Sequence, residues 1–413
     1  MSDQLTRDSA RRIVSRLLEG TAPDEGLMLL TAGREKWIES LEDDLHLIET
    51  GDRRVRLFNG RYGDGKTHLM KVLRALAFTH GLVVSYVVIR REVPLNRWDR
   101  LYSEIVRGFH TSNRPNVRGF TAILDPSDPD PAIIKSFAEK SEKLRNLRLN
   151  ADFATALYRY TTQQGGGLDQ QQDQLTLRNW IEGQPVDRQV LKSFGISAAI
   201  DKHSGLDMLR SIATCLKFYG YAGVVILLDE VESTLDQGKA VRGQAYENLR
   251  LLIDREQSPE PSLVIASVTP EMFTDDEKGF QSYPALWRRV TTDFSNPARL
   301  GYRGNVVDLT RTPLARRDYV EIGKRIRYVH AIARDWLAEE KVTDDYLSRS
   351  ADLASSGSLT LAFSPTGVFV KLIIEELEAA EQDRSYSPSA KQLRQRFAIV
   401  DKSLQDSHSP EPW

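Results

Sequence analysis

Gly60-Arg61-Tyr62-Gly63-Asp64-Gly65-Lys66-Thr67 is the stretch on which the reading of this chain turns. It matches G-x-x-x-x-G-K-[ST] in full. Each residue type answers a need of phosphate chemistry. The glycines let backbone N–H groups turn inward around phosphate oxygens with no Cβ in the way. A helix that starts at the loop aims the positive end of its dipole at the anion. Lys66 is the residue to reach the β- and γ-phosphates, and the Thr67 hydroxyl is the one to ligate Mg²⁺. The expected ligand of residues 60–68, His68 included, is therefore ATP with Mg²⁺.

The flanks fit that loop. Arg54-Val55-Arg56-Leu57-Phe58 alternates polar and apolar, as a strand does. Residues 68–79 carry Leu69, Val72, Leu73 and Leu76 at helical spacing, and 82–89 is a β-branched run, a second strand. Strand, loop, helix and strand open a parallel α/β sheet. Sheet character returns at 223–228 and 262–268, with one more strand at 306–309. Between them, about 95–218 reads as a helical insertion, with helices at 101–109, 133–147, 153–160 and 208–219. Pro115, Asp125-Pro126-Ser127-Asp128-Pro129 and a Gly/Gln tract at 163–174 interrupt it, and the tract reads as a mobile loop. Helices are also expected at 8–19, stopped by Gly20, and at 34–49. Beyond Pro313 the pattern is helical at 315–341, 343–356, 365–381 and 388–404.

These readings divide the chain into an N-terminal helical segment beside the nucleotide (1–50), an ATPase core carrying the insertion (51–310), a helical lid (311–405) and a disordered tail (406–413).

A second half-site follows from the continuous apolar run at 223–228, typical of a central parallel strand, which ends in Asp229-Glu230. A carboxylate at the carboxyl end of a neighbouring strand belongs in the crevice of an open sheet. Asp229 is the residue to hold Mg²⁺, and Glu230 the one to orient and deprotonate water. Glu232 reads as a solvated acid of the same turn. Thr269, at the tip of the next apolar strand, is the candidate to sense the γ-phosphate, with Ser267 as fallback. A capping role before Pro270 is the alternative. Arg288 and Arg289 are candidates to act on a neighbouring subunit's ATP, Arg289 slightly favoured, the alternative being surface ion pairs.

Composition narrows the rest. The chain has 413 residues, 40% hydrophobic and 28% charged, with net charge −2, so any attraction to nucleic acid must be local. No run of about 18 apolar residues suggests a membrane span. No signal core stands at 1–19. The single Cys215, set among apolar residues, reads as core and allows no internal disulfide. A cytoplasmic protein is expected. No His/Cys cluster has zinc spacing and no Ser or Cys triad is readable. Arg311, Arg316, Arg317, Lys324, Arg325, Arg327 and Arg334 face only Asp318 and Glu321 in their stretch. They read either as a patch for the backbone of double-stranded DNA or as a solvated helix face.

With these motifs in order, the chain resembles AAA+ ATPases of origin-recognition type, and more narrowly the BrxD-like ATP-binding proteins of BREX and related phage-defence systems. The carrying stretches are Arg11-Arg12-Ile13-Val14 through Gly20-Thr21-Ala22-Pro23, Ala32-Gly33-Arg34-Glu35, 58–68, and Leu227-Leu228-Asp229-Glu230-Val231-Glu232. The likeness implies an AAA+-like P-loop fold with a helical lid, a role in anti-phage defence beside a large helicase, and Gly33-Arg34-Glu35 near the adenine. Two departures stand out. The gap from Lys66 to Asp229 is long, and Ser364-Pro365-Thr366-Gly367 stands where many relatives have a sensing arginine; Lys371 is a weak substitute. One expected function is a homo-oligomeric ATPase that remodels DNA or a partner. The other is a nucleotide-dependent switch or scaffold that recruits a helicase or nuclease with little turnover. A small-metabolite kinase fits poorly, because the helical C-terminal third is too large for a compact lid.

Overall fold

The computed structural model of the chain describes residues 5–125, 140, 143–144, 147–162, 168–254, 258–291, 301–383 and 385–407. Among them five strands form one sheet: β1 (Arg53–Asn59), β2 (Val83–Val88), β3 (Val224–Asp229), β4 (Ser262–Val268) and β5 (Val306–Asp308). Their order is β2-β3-β4-β1-β5. β2 and β3 run parallel from Val83↔Val224 to Val88↔Asp229, and β3 and β4 run parallel from Val224↔Ser262. Leu57 N–H bonds Asn305 O at 2.7 Å and Leu309 N–H bonds Asn59 O at 2.8 Å, the stagger of a parallel β1–β5 pair. Every residue of β3 and β4 is buried. That is why both read as unbroken apolar runs rather than as alternations.

The order corrects one expectation. β4 stands between β1 and β3, so the acid-tipped strand is one strand further from the loop strand than immediate adjacency would put it.

The chain divides into two compact units. The first comprises Met1–Glu39, Phe58–Val72 and Val307–Trp413, and the second Ser40–Leu57 and Leu73–Val306. Each has its own hydrophobic cluster. The glycine loop thus groups with the two terminal helical regions.

In the first unit, helix Arg7–Leu18 starts at Thr6, whose hydroxyl accepts the Ser9 N–H at 3.2 Å. Its Ala10, Ile13, Val14 and Leu17 are buried, and it packs on helices Arg316–Arg334 and Pro365–Gln382. Burial of each large aliphatic side chain here is worth about 1.5–3 kcal/mol. The helix expected over 315–341 stops early. Asp335 adopts φ 59°, and its N–H bonds Ala331 O at 2.8 Å. Aspartate tolerates this left-handed conformation better than most residues. Trp336 then folds back, its Nε1–H donating to His330 Nδ1 at 2.9 Å. Helices Asp344–Ser355 and Leu393–Ser407 complete the bundle. Asp406 and Ser407, read as tail, belong to the last of these, and 408–413 lie outside the described residues.

In the second unit, the insertion supplies Trp98–Gly108, Phe120–Ile123, Ala151–Thr162, Leu168–Ile181, Arg188–Ser193 and Gly205–Tyr219. Most of the helix expected at 133–147 lies outside the described residues. So do 163–167 of the Gly/Gln tract, but Leu168 to Gln174 opens a helix rather than a loop. Glutamine is a good helix former, and buried Leu177, Trp180 and Ile181 anchor the element. Cys215 is fully buried, which pushes its thiol well up and makes it a core residue. Among the described residues no helix is long and apolar enough to cross a membrane.

Candidate nucleotide site

The glycine loop connects β1 to helix Lys66–Thr79, so the helix begins on the motif's own lysine. Gly63 and Gly65 have φ of 87° and 92°, conformations that side chains with a Cβ rarely adopt. The loop is closed from within. Asp64 accepts the Arg61 N–H at 2.7 Å, and the Lys66 ammonium donates to Gly60 O at 2.6 Å. Lys66 is buried and lies 5.1 Å from the centre of the Tyr62 ring. A Cβ on Gly60 would come within 3.1 Å of Asp64 Cβ and 3.3 Å of Lys66 Cγ. The cradle is therefore tight on this side, and a buried ammonium at the first turn of a helix suits a phosphate anion.

Two other parts of the first unit hold the loop. Arg34 is buried and donates to Thr312 O at 2.6 Å and, more loosely, to Asp64 O at 3.5 Å. Burial lowers its pKa, opposed by Asp64. Gly33 has φ 70°, and a Cβ there would meet the Asp318 carboxyl at 2.6 Å. On the other side the Ser364 N–H bonds Tyr62 O at 2.9 Å. A Cβ on Gly367 would lie 3.0 Å from Gly63 Cα. The Ser364-Pro365-Thr366-Gly367 segment, noted in the sequence only for lacking an arginine, is thus a backbone brace on the loop. Lys371 one turn later donates to Leu18 O and pairs with Glu375 at 3.5 Å.

His68 is engaged by Thr31. Its Nε2 is 2.8 Å from the Thr31 hydroxyl, which itself donates to Leu27 O at 2.7 Å. With that hydroxyl proton committed, Nε2 is the donor. Burial, then Lys71 and Arg34, push the imidazole down to about 4. Thr67 follows Lys66 in the helix's first turn and is half-buried.

The second unit carries the acids. Asp229 is buried at the end of β3, and both its oxygens are engaged. Tyr86 OH donates to Oδ2 at 2.5 Å. Ser267 OH donates to Oδ1, which also accepts the Glu230 N–H at 3.0 Å. Burial, then the Asp229 charge, push the Tyr86 phenol well up, so it remains a donor. Glu230 is exposed and sits at φ 57° and ψ 37°, left-handed for a residue with a full side chain. Such strain is concentrated at working sites. Glu232 is buried rather than a solvated loop acid. Thr269 is buried, and its carbonyl accepts the Met272 N–H at 3.0 Å at the start of a turn.

The two arginines differ. Arg289 pairs with both oxygens of Asp254 and donates to Ala285 O at 2.6 Å. Arg288 is exposed and makes no hydrogen bond or ion pair among the described residues. The cations after Pro313 are also largely paired: Lys324 and Arg327 with Asp344, Arg316 with Asp352, Arg325 with Glu321, and Arg334 with Glu378. Three of these acids lie outside the 311–334 stretch, so the sequence excess of charge is balanced by later helices.

Tyr86, and Ser267 as a partner of Asp229, were missed by sequence reasoning. Tyr86 looks like one member of an apolar strand, and only the β2–β3 pairing brings its hydroxyl to Asp229.

A mainly parallel α/β sheet with a glycine-rich loop feeding a helix defines a nucleotide-binding protein with a P-loop-like fold. The chain belongs to the family described as BREX system ATP-binding protein BrxC/D, whose model matches residues 5–126 and 128–395. Membership carries ATP binding and a place in a BREX defence system. No curated protein matches the chain.

Proposed function

We propose that the chain is an AAA+-type ATPase of its defence system, binding and hydrolysing Mg-ATP to drive self-assembly and the remodelling of DNA or a partner protein. The observation that carries this reading is the closed loop Gly60–Thr67, with buried Lys66 at the first turn of its helix. Backbone amides of 60–66 and the Lys66 ammonium bind the phosphates. Arg34, under the loop at Asp64 O, supports the adenine side. Thr67 and Asp229 offer Mg²⁺ the hard oxygen ligands it prefers. Bound Mg²⁺ supplies charge neutralisation at the phosphates. Glu230, exposed and strained beside Asp229, takes the proton of the attacking water. Thr269 senses the γ-phosphate, and Arg288 is the arginine free to reach a second subunit.

The cis pairing of Arg289 with Asp254 favours one alternative: a nucleotide-dependent switch or scaffold that recruits a helicase or nuclease and turns over little. Double-stranded DNA, on the first reading, must compete with Asp344, Asp352 and Glu378 for the cations after Pro313.

Steady-state hydrolysis with and without DNA, in wild type, Lys66→Ala and Glu230→Gln, tests the proposal. Lys66→Ala should lose ATP binding. Glu230→Gln should keep binding, lose at least a hundredfold in turnover, and trap an ATP-bound oligomer on a sizing column. A wild type without turnover whose size ignores a slowly hydrolysed ATP analogue sinks the ATPase reading.

A further inference from the structure

Helix Glu35–Glu49 ends on Glu49, and His46 lies one turn before it. His80 follows helix Lys66–Thr79, its N–H bonded to Leu76 O at 3.3 Å. All three residues belong to the second unit. The Glu49 carboxylate lies between the two rings, with His80 Nδ1 2.8 Å from Oε1 and His46 Nδ1 2.9 Å from Oε2. The rings meet edge to face, centroids 4.7 Å apart. One ligand atom from each of the three residues lies within 4.8 Å of the others.

We propose that His46, Glu49 and His80 form a site for one divalent transition ion of the zinc class. The donor set is two imidazoles and a carboxylate, borderline ligands that suit Zn²⁺ and Co²⁺ better than Mg²⁺ or Ca²⁺. Tetrahedral bonds of about 2.0–2.1 Å put neighbouring ligand atoms about 3.3 Å apart. The carboxylate–imidazole distances need to open slightly, and the farther atoms need to close by up to about 1.5 Å. His46, with its side chain 66% exposed, has the freedom to adjust, while His80 at 15% is fixed by its surroundings. His46 and Glu49 are three apart on one helix, a spacing that sets two ligands on one face. His80 stands 31 residues beyond Glu49, which hides the set from any reading of short spacings.

The scaffold around the trio is tied. Lys217, near the end of helix Gly205–Tyr219, donates its ammonium to Glu49 O at 2.9 Å, holding the helix terminus in place. The hydrogen bond from His46, then against burial that from His80, keep the Glu49 carboxyl below its ordinary range. The carboxylate is thus ionised. For an ion to bind, each ring must be neutral and move its proton from Nδ1 to Nε2, freeing the Nδ1 lone pair. Three protein ligands leave coordination positions to water on the exposed His46 side. The ion would fasten the end of one helix to the residue after another, a local staple separate from Asp229 and from the loop at 60–67.

The experiment is calorimetric titration of the full chain, stripped with a chelator, with Zn²⁺ alone and then Co²⁺ alone at pH 7.5, without nucleotide. The expected result is one ion per chain, with visible Co²⁺ absorption of a low-coordinate nitrogen–oxygen site. His46→Ala, which alters an exposed side chain, should weaken binding at least tenfold. His80→Ala and Glu49→Gln should do the same or more. Zn²⁺ should raise the melting temperature of wild type and leave that of His46→Ala unmoved. No binding by wild type overturns the site. Binding unchanged in stoichiometry and affinity in His46→Ala also overturns it, by assigning the ion elsewhere.

Discussion

Tyr86 gives its hydroxyl proton to Oδ2 of Asp229 at 2.5 Å, from β2 to the tip of β3. Ser267 and the Glu230 N–H serve the other oxygen. Asp229 therefore has a fixed orientation. Partners of this kind tune metal affinity by roughly 10–100-fold. Tyr86→Phe should raise the Mg²⁺ concentration for half-maximal ATP turnover about tenfold. Affinity for ATP measured in EDTA should not change, which separates positioning of Asp229, the proposed metal ligand, from damage to the loop. An unaltered Mg²⁺ dependence removes Tyr86 from the site.

Gly63 and Gly367 touch backbone to backbone, and the Ser364 N–H on Tyr62 O fixes the same contact. An alanine at 367 puts its Cβ 3.0 Å from Gly63 Cα, where no flexible side-chain end can yield. The overlap should cost about 1–3 kcal/mol. Gly367→Ala should therefore lower the melting temperature and weaken ATP binding by tenfold or more. Thr366→Ala, which loses the 3.1 Å contact with Tyr319 OH and adds no bulk, should spare ATP binding. Equal ATP affinity in Gly367→Ala and wild type refutes the brace.

Arg288 and Arg289 are adjacent in sequence yet opposite in environment. Arg289 joins Arg250, Asp254, Glu247 and Tyr283 in one charged network. Arg289→Ala should cost about 1 kcal/mol of stability, the scale for a half-exposed bidentate pair. Arg288→Ala should leave unfolding unchanged but cut turnover at least a hundredfold if it acts on a neighbour's ATP. Mixing Arg288→Ala with Glu230→Gln chains provides the check. A trans-acting arginine restores activity in the mixture, because some interfaces carry both intact residues. No recovery argues against it.

The loop and strands were legible in the sequence because their signals are local. Gly60–Thr67 is a contiguous motif, and full burial on both faces makes β3 and β4 apolar throughout. The start of helix Arg7–Leu18 was readable from its periodicity for the same reason. What the sequence hid depends on register and distance. Tyr86 on Asp229, Gly367 on Gly63 and His80 on Glu49 each join segments far apart in the chain. The strand order, with β4 inserted between β1 and β3, is likewise a tertiary choice. The basic stretch misled because counting charges within 311–334 omits Asp344, Asp352 and Glu378, which arrive from later helices.

His68 offers a pH test of the first unit. Its ring is held by Thr31 and surrounded by apolar and cationic groups, and its pKa falls to about 4 from an ordinary 6.5. Between those values the unfolded chain binds a proton at this position and the folded chain does not. Stability from this residue is thus fully present above pH 6.5 and is lost as pH falls toward 4. Discounted for its partial exposure, the loss between pH 7 and pH 5 should be about 1–2 kcal/mol. His68→Gln, whose amide can still donate to Thr31, lacks the titration. Urea unfolding of both proteins at pH 7 and pH 5 reads the difference. His110, also held low by burial, contributes to both and cancels. The wild type should lose more stability than His68→Gln on acidification, and equal losses would mean that His68 accepts its proton in the folded state.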